Sequence, residues 1–291
     1  MRNQVGRSHR LIEVMAVLSC LAVTAALLVP GVSFVGEQGR RRVCMSNLRR
    51  LGQACHIYAQ DDPGVFPAIG VTTGLSPSTA SDGQMDLFDP AVRTSEPSTT
   101  GVPSPTVDMW ALLRANLASS PHFICPSTPD TPDPVRDASA YFDFLAADHL
   151  SYAYQYQHDP NRAIIGRGSE PTFPVMADGN PYIKGSVALD LTQDRNAAER
   201  GNSTNHPNRQ GQNILFQAGH VFFLRSPDVG LPGQMAGLGS SRGRDNCYTT
   251  VANEGANVDP GNLAPVVYQA ESGGLAGRCN LGSRSDACLV P

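Results

Sequence analysis

Residues 11–29 read Leu11-Ile-Glu-Val-Met-Ala-Val-Leu-Ser-Cys-Leu-Ala-Val-Thr-Ala-Ala-Leu-Leu-Val29, an apolar run carrying a single charge, Glu13. As a helix rising about 1.5 Å per residue, such a run reaches roughly 28 Å, close to the hydrocarbon thickness of a bilayer. The sequence therefore predicts one membrane crossing. The run is longer than the roughly 7 to 15 apolar residues of a removable secretory signal and no A-x-A site follows it, so removal of the whole run is not expected. A charge inside a membrane helix costs about 2.5 to 3.5 kcal/mol on insertion scales. Glu13 must either snorkel to the nearby interface or meet a group that offsets its charge.

Arginines flank the run on both sides. Arg2, Arg7 and Arg10 precede it, and Arg40, Arg41 and Arg42 follow it, so the positive-inside rule leaves the orientation open. Cysteine usage favours an extracytoplasmic C-terminal part. Cys20 lies within the run, whereas Cys44, Cys55, Cys125, Cys247, Cys279 and Cys288 all follow it. Six cysteines on one side suit an oxidising compartment, although sequence leaves their pairing open and reduced, buried thiols are the alternative.

Past the Gly/Ser stretch around 31–39, Cys44, Leu48, Leu51, Cys55 and Tyr58 recur at intervals of four, three, four and three. This is one face of an amphipathic helix. It should end near Gln60, where Asp61-Asp62-Pro63-Gly64 forms a turn. Cys44 and Cys55 would lie about 16 Å apart on it, beyond the reach of a disulfide.

The segment Gly6-Arg-Ser-His-Arg-Leu-Ile-Glu-Val14, followed by an apolar helix, resembles the N-terminal cleavage and methylation motif of type IV pilins and type II secretion pseudopilins. The resemblance implies a leader at 1–8, cut by prepilin peptidase between Ser8 and His9. Ser8 stands where the family has glycine, and His9 where it usually has phenylalanine. Glu13 takes the place of the fifth mature residue, the assembly glutamate that pairs with a neighbouring subunit's N-terminal amine. Pro30 falls where pilin helices carry a kinking proline. The phrase from Arg42 to Asp61, the Val65-Phe-Pro67 exit, Phe123-Ile-Cys-Pro-Ser127, Asn202-Ser-Thr-Asn-His206 and Asp245-Asn-Cys-Tyr-Thr249 resemble bacterial prepilin-like envelope proteins with a C-terminal domain of unknown function. That resemblance implies a Cys44–Cys125 disulfide. It also implies a solvated or headgroup-facing side of the helix for Arg40 to Arg42, Arg49 and Arg50, rather than a nucleic-acid surface.

The expected fold class is α+β. A long N-terminal helix, membrane-spanning over 9–30 and amphipathic over 31–60, packs on a small antiparallel sheet with long loops in an extracytoplasmic domain, 61–291. Gly (28) and Pro (23) are abundant and charged residues make up only 16% of the 291, a composition of long irregular connections. Residues 68–107 read as a loop insertion and 227–291 as an irregular Gly-rich tail. A short helix is expected from Asp108 to Asn116, with Trp110 as a core anchor. Tyr152, Tyr154 and Tyr156 alternate as in a half-buried strand facing the helix, and Phe173 to Ala177 suggests another strand. Asn213 to Gln217 and His220 to Arg225, joined through Ala218-Gly219, read as a tight hairpin.

No constellation commits the chain to chemistry. Ser203, His206, His220, Asp178 and Asp228 offer the residue types of a hydrolytic triad, but no nucleophile-elbow motif accompanies them and no enzyme is expected. The histidines lack zinc spacing and no metal site is assigned. Calcium at an oxygen-rich turn such as Asp245-Asn246 is conceivable, but no calcium motif is present. Asn202-Ser-Thr204 matches a glycosylation sequon, a three-residue pattern frequent by chance. The net charge of −4 gives no general attraction for nucleic acid. Two functions follow. One is a pilin-like or pseudopilin-like assembly subunit in the cytoplasmic membrane, whose partners are the membrane, prepilin peptidase and other pilin-like subunits. The other is a membrane-tethered module whose loops capture polysaccharide or DNA.

Overall fold

In the computed structural model, the described residues are 2–61, 64–69, 93, 105–155, 157, 165–181, 183–184, 187–188, 202–232, 244–248 and 289–290. Among these residues, the helices α1 (Arg2–Asp61) and α2 (Pro105–Arg114) precede nine strands. These are β1 (Tyr152–Gln155), β2 (Pro174–Asp178), β3 (Ile183–Lys184), β4 (Val187–Ala188), β5 (Gln212–Phe216), β6 (Val221–Leu224), β7 (Asp228–Pro232), β8 (Arg244–Asn246) and β9 (Leu289–Val290). The class is α+β. The central sheet has the order β6-β5-β2-β1-β9, antiparallel throughout, and β3-β4 and β7-β8 form separate two-stranded pairs.

The second half of α1 lies across this sheet. Cys44, Leu48, Leu51 and Cys55 are each fully buried, as the spacing of the stripe requires, and Tyr58 packs at its margin. Gly52 lets the helix approach β5: a Cβ there would meet the Leu215 side chain at 2.8 Å. Upstream, Val14, Met15, Val17, Leu18, Leu21 and Val23 are all exposed. Among the described residues, no helix is long and apolar enough to cross a membrane. The apolar run also includes 25–29, whose side chains lie outside the described residues.

Several expectations change in the folded chain. Helix α2 begins three residues earlier than read and ends at Arg114. Strand β1 is buried at all four positions, not at alternate ones. Its tyrosines face α1, with Tyr152 near Asn47 and Tyr154 near Cys55 and Tyr58. β9 covers its outer edge, so β1 is an interior strand; Tyr156 lies outside the described residues. The hairpin loop is three residues long, because Phe216 N–H bonds to His220 O at 3.0 Å. Gly219, at φ +84°, supplies the left-handed residue such a loop needs.

The stretch from 227 onward is not wholly irregular, since it contributes β7, β8 and β9. Asn180 Nδ2 donates to Tyr248 O and Leu289 O at 3.1 and 2.7 Å, tying these distant segments to the end of β2. Most of 68–107 lies outside the described residues. Arg93, however, is buried from that region against Asp133 at 3.0 Å. Trp110 is the expected anchor: it is fully buried, its Nε1 donates to Tyr141 O at 2.8 Å, and its ring meets Phe144 edge-on.

Candidate functional site

Where α1 meets the sheet, four parts of the chain converge on one buried polar cluster. Helix α1 supplies Glu37, one heptad before Cys44 and so on the same face. The Cys-Pro-Ser loop supplies Cys125 and Ser127, the last residue of β2 is Asp178, and the turn before β5 supplies His206, with Asn213 on β5.

His206 is 1% exposed and bridges two carboxylates. Its Nδ1 lies 2.8 Å from Glu37 Oε1, and its Nε2 lies 3.0 Å from Asp178 Oδ2. Burial pushes the imidazole down, but the hydrogen bond and charge of Asp178, then those of Glu37, outweigh it and hold His206 above its ordinary value. When protonated, His206 donates to a carboxylate from each nitrogen. Burial likewise pushes the Glu37 carboxyl up, yet hydrogen bonds from His206, Arg40 and Ser127 and the charge of His206 bring it below the usual range.

Glu37 is saturated. It receives Arg40 Nε at 3.0 Å and the Ser127 hydroxyl at 3.1 Å, with Arg41 Nε in an ion pair at 3.4 Å. Arg41 is thus not on a solvated face as expected. It is 16% exposed, donates to Gln210 Oε1 at 2.7 Å, and lies over the Phe223 ring at 4.5 Å. Reaching back from α1 to the sheet, it trades water for a carboxylate and an aromatic face. Arg40, Arg42, Arg49 and Arg50 are exposed.

Asp178 is used unevenly. Its Oδ2 accepts from Asn213 backbone N–H at 2.6 Å, from Asn213 Nδ2 at 3.1 Å and from His206. Its Oδ1 is buried with no hydrogen-bond partner. Beside it, Cys44 and Cys125 form a disulfide with Cα atoms 5.1 Å apart, and Asn47 Nδ2 donates to Ile124 O at 2.9 Å.

The residue types of a triad are present without its geometry. The Ser203 hydroxyl donates to Gly179 O at 2.7 Å and both nitrogens of His206 face carboxylates, so no hydroxyl is bonded to this base. His220 instead stacks on Phe216. Asn202 of the sequon is 2% exposed, its amide committed to Arg209 O and Arg225 O, which leaves no acceptor for a sugar. The Cys55 thiol is fully buried, and burial pushes it far above its ordinary range. Cys247 is buried, and Cys20 is an exposed free thiol. Glu13 is an exposed residue of α1. Ser8, His9 and Pro30 lie in α1 with side chains outside the described residues, as are those of Asp228, Asp245 and Asn246; Cys279 and Cys288 are outside them altogether.

Sequence reasoning passed over Glu37 and Asn213. Glu37 carried a signal: it continues the buried stripe one heptad toward the N-terminus and has arginines three and four residues on. Asn213 gave none, being one polar residue in an apolar strand. Comparison of the chain with protein-family models, with curated proteins and with solved structures finds no match.

Proposed function

We propose that this chain is a pilin-like or pseudopilin-like structural subunit of an envelope apparatus related to type II secretion or type IV pili. Its N-terminal helix is the membrane anchor and its sheet-bearing part is extracytoplasmic. The observation that carries this reading is the division of α1. From Glu37 onward the helix is docked on the sheet, whereas upstream Val14, Met15, Val17, Leu18, Leu21 and Val23 are 57 to 62% exposed. Half of one continuous helix thus keeps its apolar side chains for a surrounding outside its own fold, and lipid and the helices of neighbouring subunits both have the right chemistry. Glu13 stands exposed at the start of that half, where a neighbour's N-terminal amine would neutralise it. The proposed role is assembly rather than catalysis.

The test is the N-terminal mass of the chain after co-expression with a prepilin peptidase. A chain beginning at His9 supports the reading, and an intact Met1 removes processing from it. Replacing Glu13 by Ala should abolish incorporation into assemblies while leaving the membrane-anchored chain folded. If the variant assembles normally, Glu13 has no assembly role and a tethered binding module becomes the better reading.

A further inference from the structure

Cys44, Cys125, Asp178 and His206 are all buried, and one ligand atom from each lies within 4.8 Å of the others. We infer that, with the Cys44–Cys125 disulfide open, these four residues form a site for one tetrahedral, thiophilic divalent cation of the zinc class. The disulfide and the metal are alternative occupants of the same space, and the inference is independent of the assembly role.

Three observations support it. Ligand bonds of about 2.0 to 2.3 Å in a tetrahedron put ligand atoms roughly 3.3 to 3.8 Å apart, so the present cluster needs only contraction by about an ångström and separation of the two sulfurs. Asp178 Oδ1 is a buried acceptor without a partner, the kind of group a cation satisfies. Finally, Glu37 holds Nδ1 of His206 at 2.8 Å, so that loss of the Nε2 proton, which now faces Asp178, gives the tautomer whose Nε2 can bind a metal, with an outer carboxylate on the ligating imidazole. Two thiolates with an imidazole and a carboxylate suit zinc better than calcium or magnesium.

Charge also closes. A divalent cation with two thiolates and Asp178 leaves one net negative charge, Glu37 adds a second, and Arg40 and Arg41 beside Glu37 match both. Opening the S–S bond takes two electrons and two protons from a dithiol reductant, which leaves as its own disulfide. Metal binding then releases the two thiol protons and the proton on His206 Nε2.

The experiment titrates Co2+ into the full-length chain in detergent, once oxidised and once reduced without oxygen, and follows the absorption of tetrahedral, thiolate-bound cobalt. One such Co2+ per reduced chain, displaced by Zn2+ and absent from the oxidised chain, is the expected result. The signal should be lost in Cys44→Ser and His206→Ala, kept in Cys55→Ser, and Glu37→Gln should weaken affinity about 10- to 100-fold. The inference is overturned if the reduced chain gives no tetrahedral signal, if the signal persists in Cys44→Ser or Cys125→Ser, or if circular dichroism finds the reduced chain unfolded with and without metal. The comparison of oxidised with reduced wild type needs no variant to fold.

Discussion

His206 Nδ1 lies 2.8 Å from Glu37 Oε1 across 169 residues of chain, and through this contact the turn before β5 holds the long helix. With His206 protonated the contact joins a cation to an anion in a site that water hardly reaches, and Asp178 completes it from the sheet. Its worth therefore depends on both groups staying charged.

The sign of the pH dependence follows from the two shifts. His206 is held above its ordinary 6.5, so its contribution is full below about that pH and is lost as pH rises through its folded value. Glu37 is held below its ordinary 4.5, so its contribution is full above that and is lost as pH falls through its folded value. The difference in melting temperature between wild type and His206→Asn should thus be largest between pH 4.5 and 6.5 and shrink toward alkaline pH. A difference that stays constant to pH ~9 would show that His206 acts by shape alone.

Removing the disulfide should be costly. Cys44 and Cys125 close a loop across a separation of 81 residues, for which the loop-entropy relation gives about 4.5 kcal/mol. Cys44→Ala/Cys125→Ala should lower the unfolding free energy from urea melts by an amount of that order without changing the secondary structure seen by circular dichroism. A loss below about 1 kcal/mol would mean that the unfolded chain gains little freedom from losing this link.

Gly52→Ala tests the closeness of α1 to β5. Alanine gains roughly 1 kcal/mol of helix propensity, but its Cβ would stand 2.8 Å from Leu215, a residue 1% exposed with little room to retreat. Overpacking of about 1 to 3 kcal/mol should outweigh the gain. Denaturant melts should find the variant less stable, and Leu215→Val in the same chain should restore part of the loss. A stabilised Gly52→Ala would mean that the helix can move away from the sheet.

Arg93→Ala removes the only positive partner that the described residues place on Asp133, which is buried and also accepts from the Val135 and Leu145 amides. Breaking such a pair costs about 3 kcal/mol. The guanidinium also lies over the Tyr141 ring at 4.5 Å, so Arg93→Lys should recover the charge but not the stacking. Hydrogen exchange of the Phe142 amide, which donates to Arg93 O, reports whether this tie to the 68–107 region loosens.

Local patterning made several elements legible. The stripe from Cys44 to Tyr58 located the buried face of α1 because helix period is a property of neighbouring residues, and the hairpin strands were readable for the same reason. The alternation at Tyr152 and Tyr154 misled, because period 2 tells which residues share a face but not whether the other face is covered. The strands after 227 could not be read either, since two-residue β9 is a strand only because β1 offers it an edge.

By itself the sequence determined a long N-terminal helix, apolar first and amphipathic afterwards, with a mixed α and β body, because hydrophobic periodicity acts over a few residues. Only the tertiary structure decided that Glu37, Cys44, Cys125, Asp178, His206 and Asn213 share one buried site. They come from stretches far apart in sequence, around 37–44, 125, 178 and 206–213, and burying charge is tolerable only where the fold brings each cation to its anions.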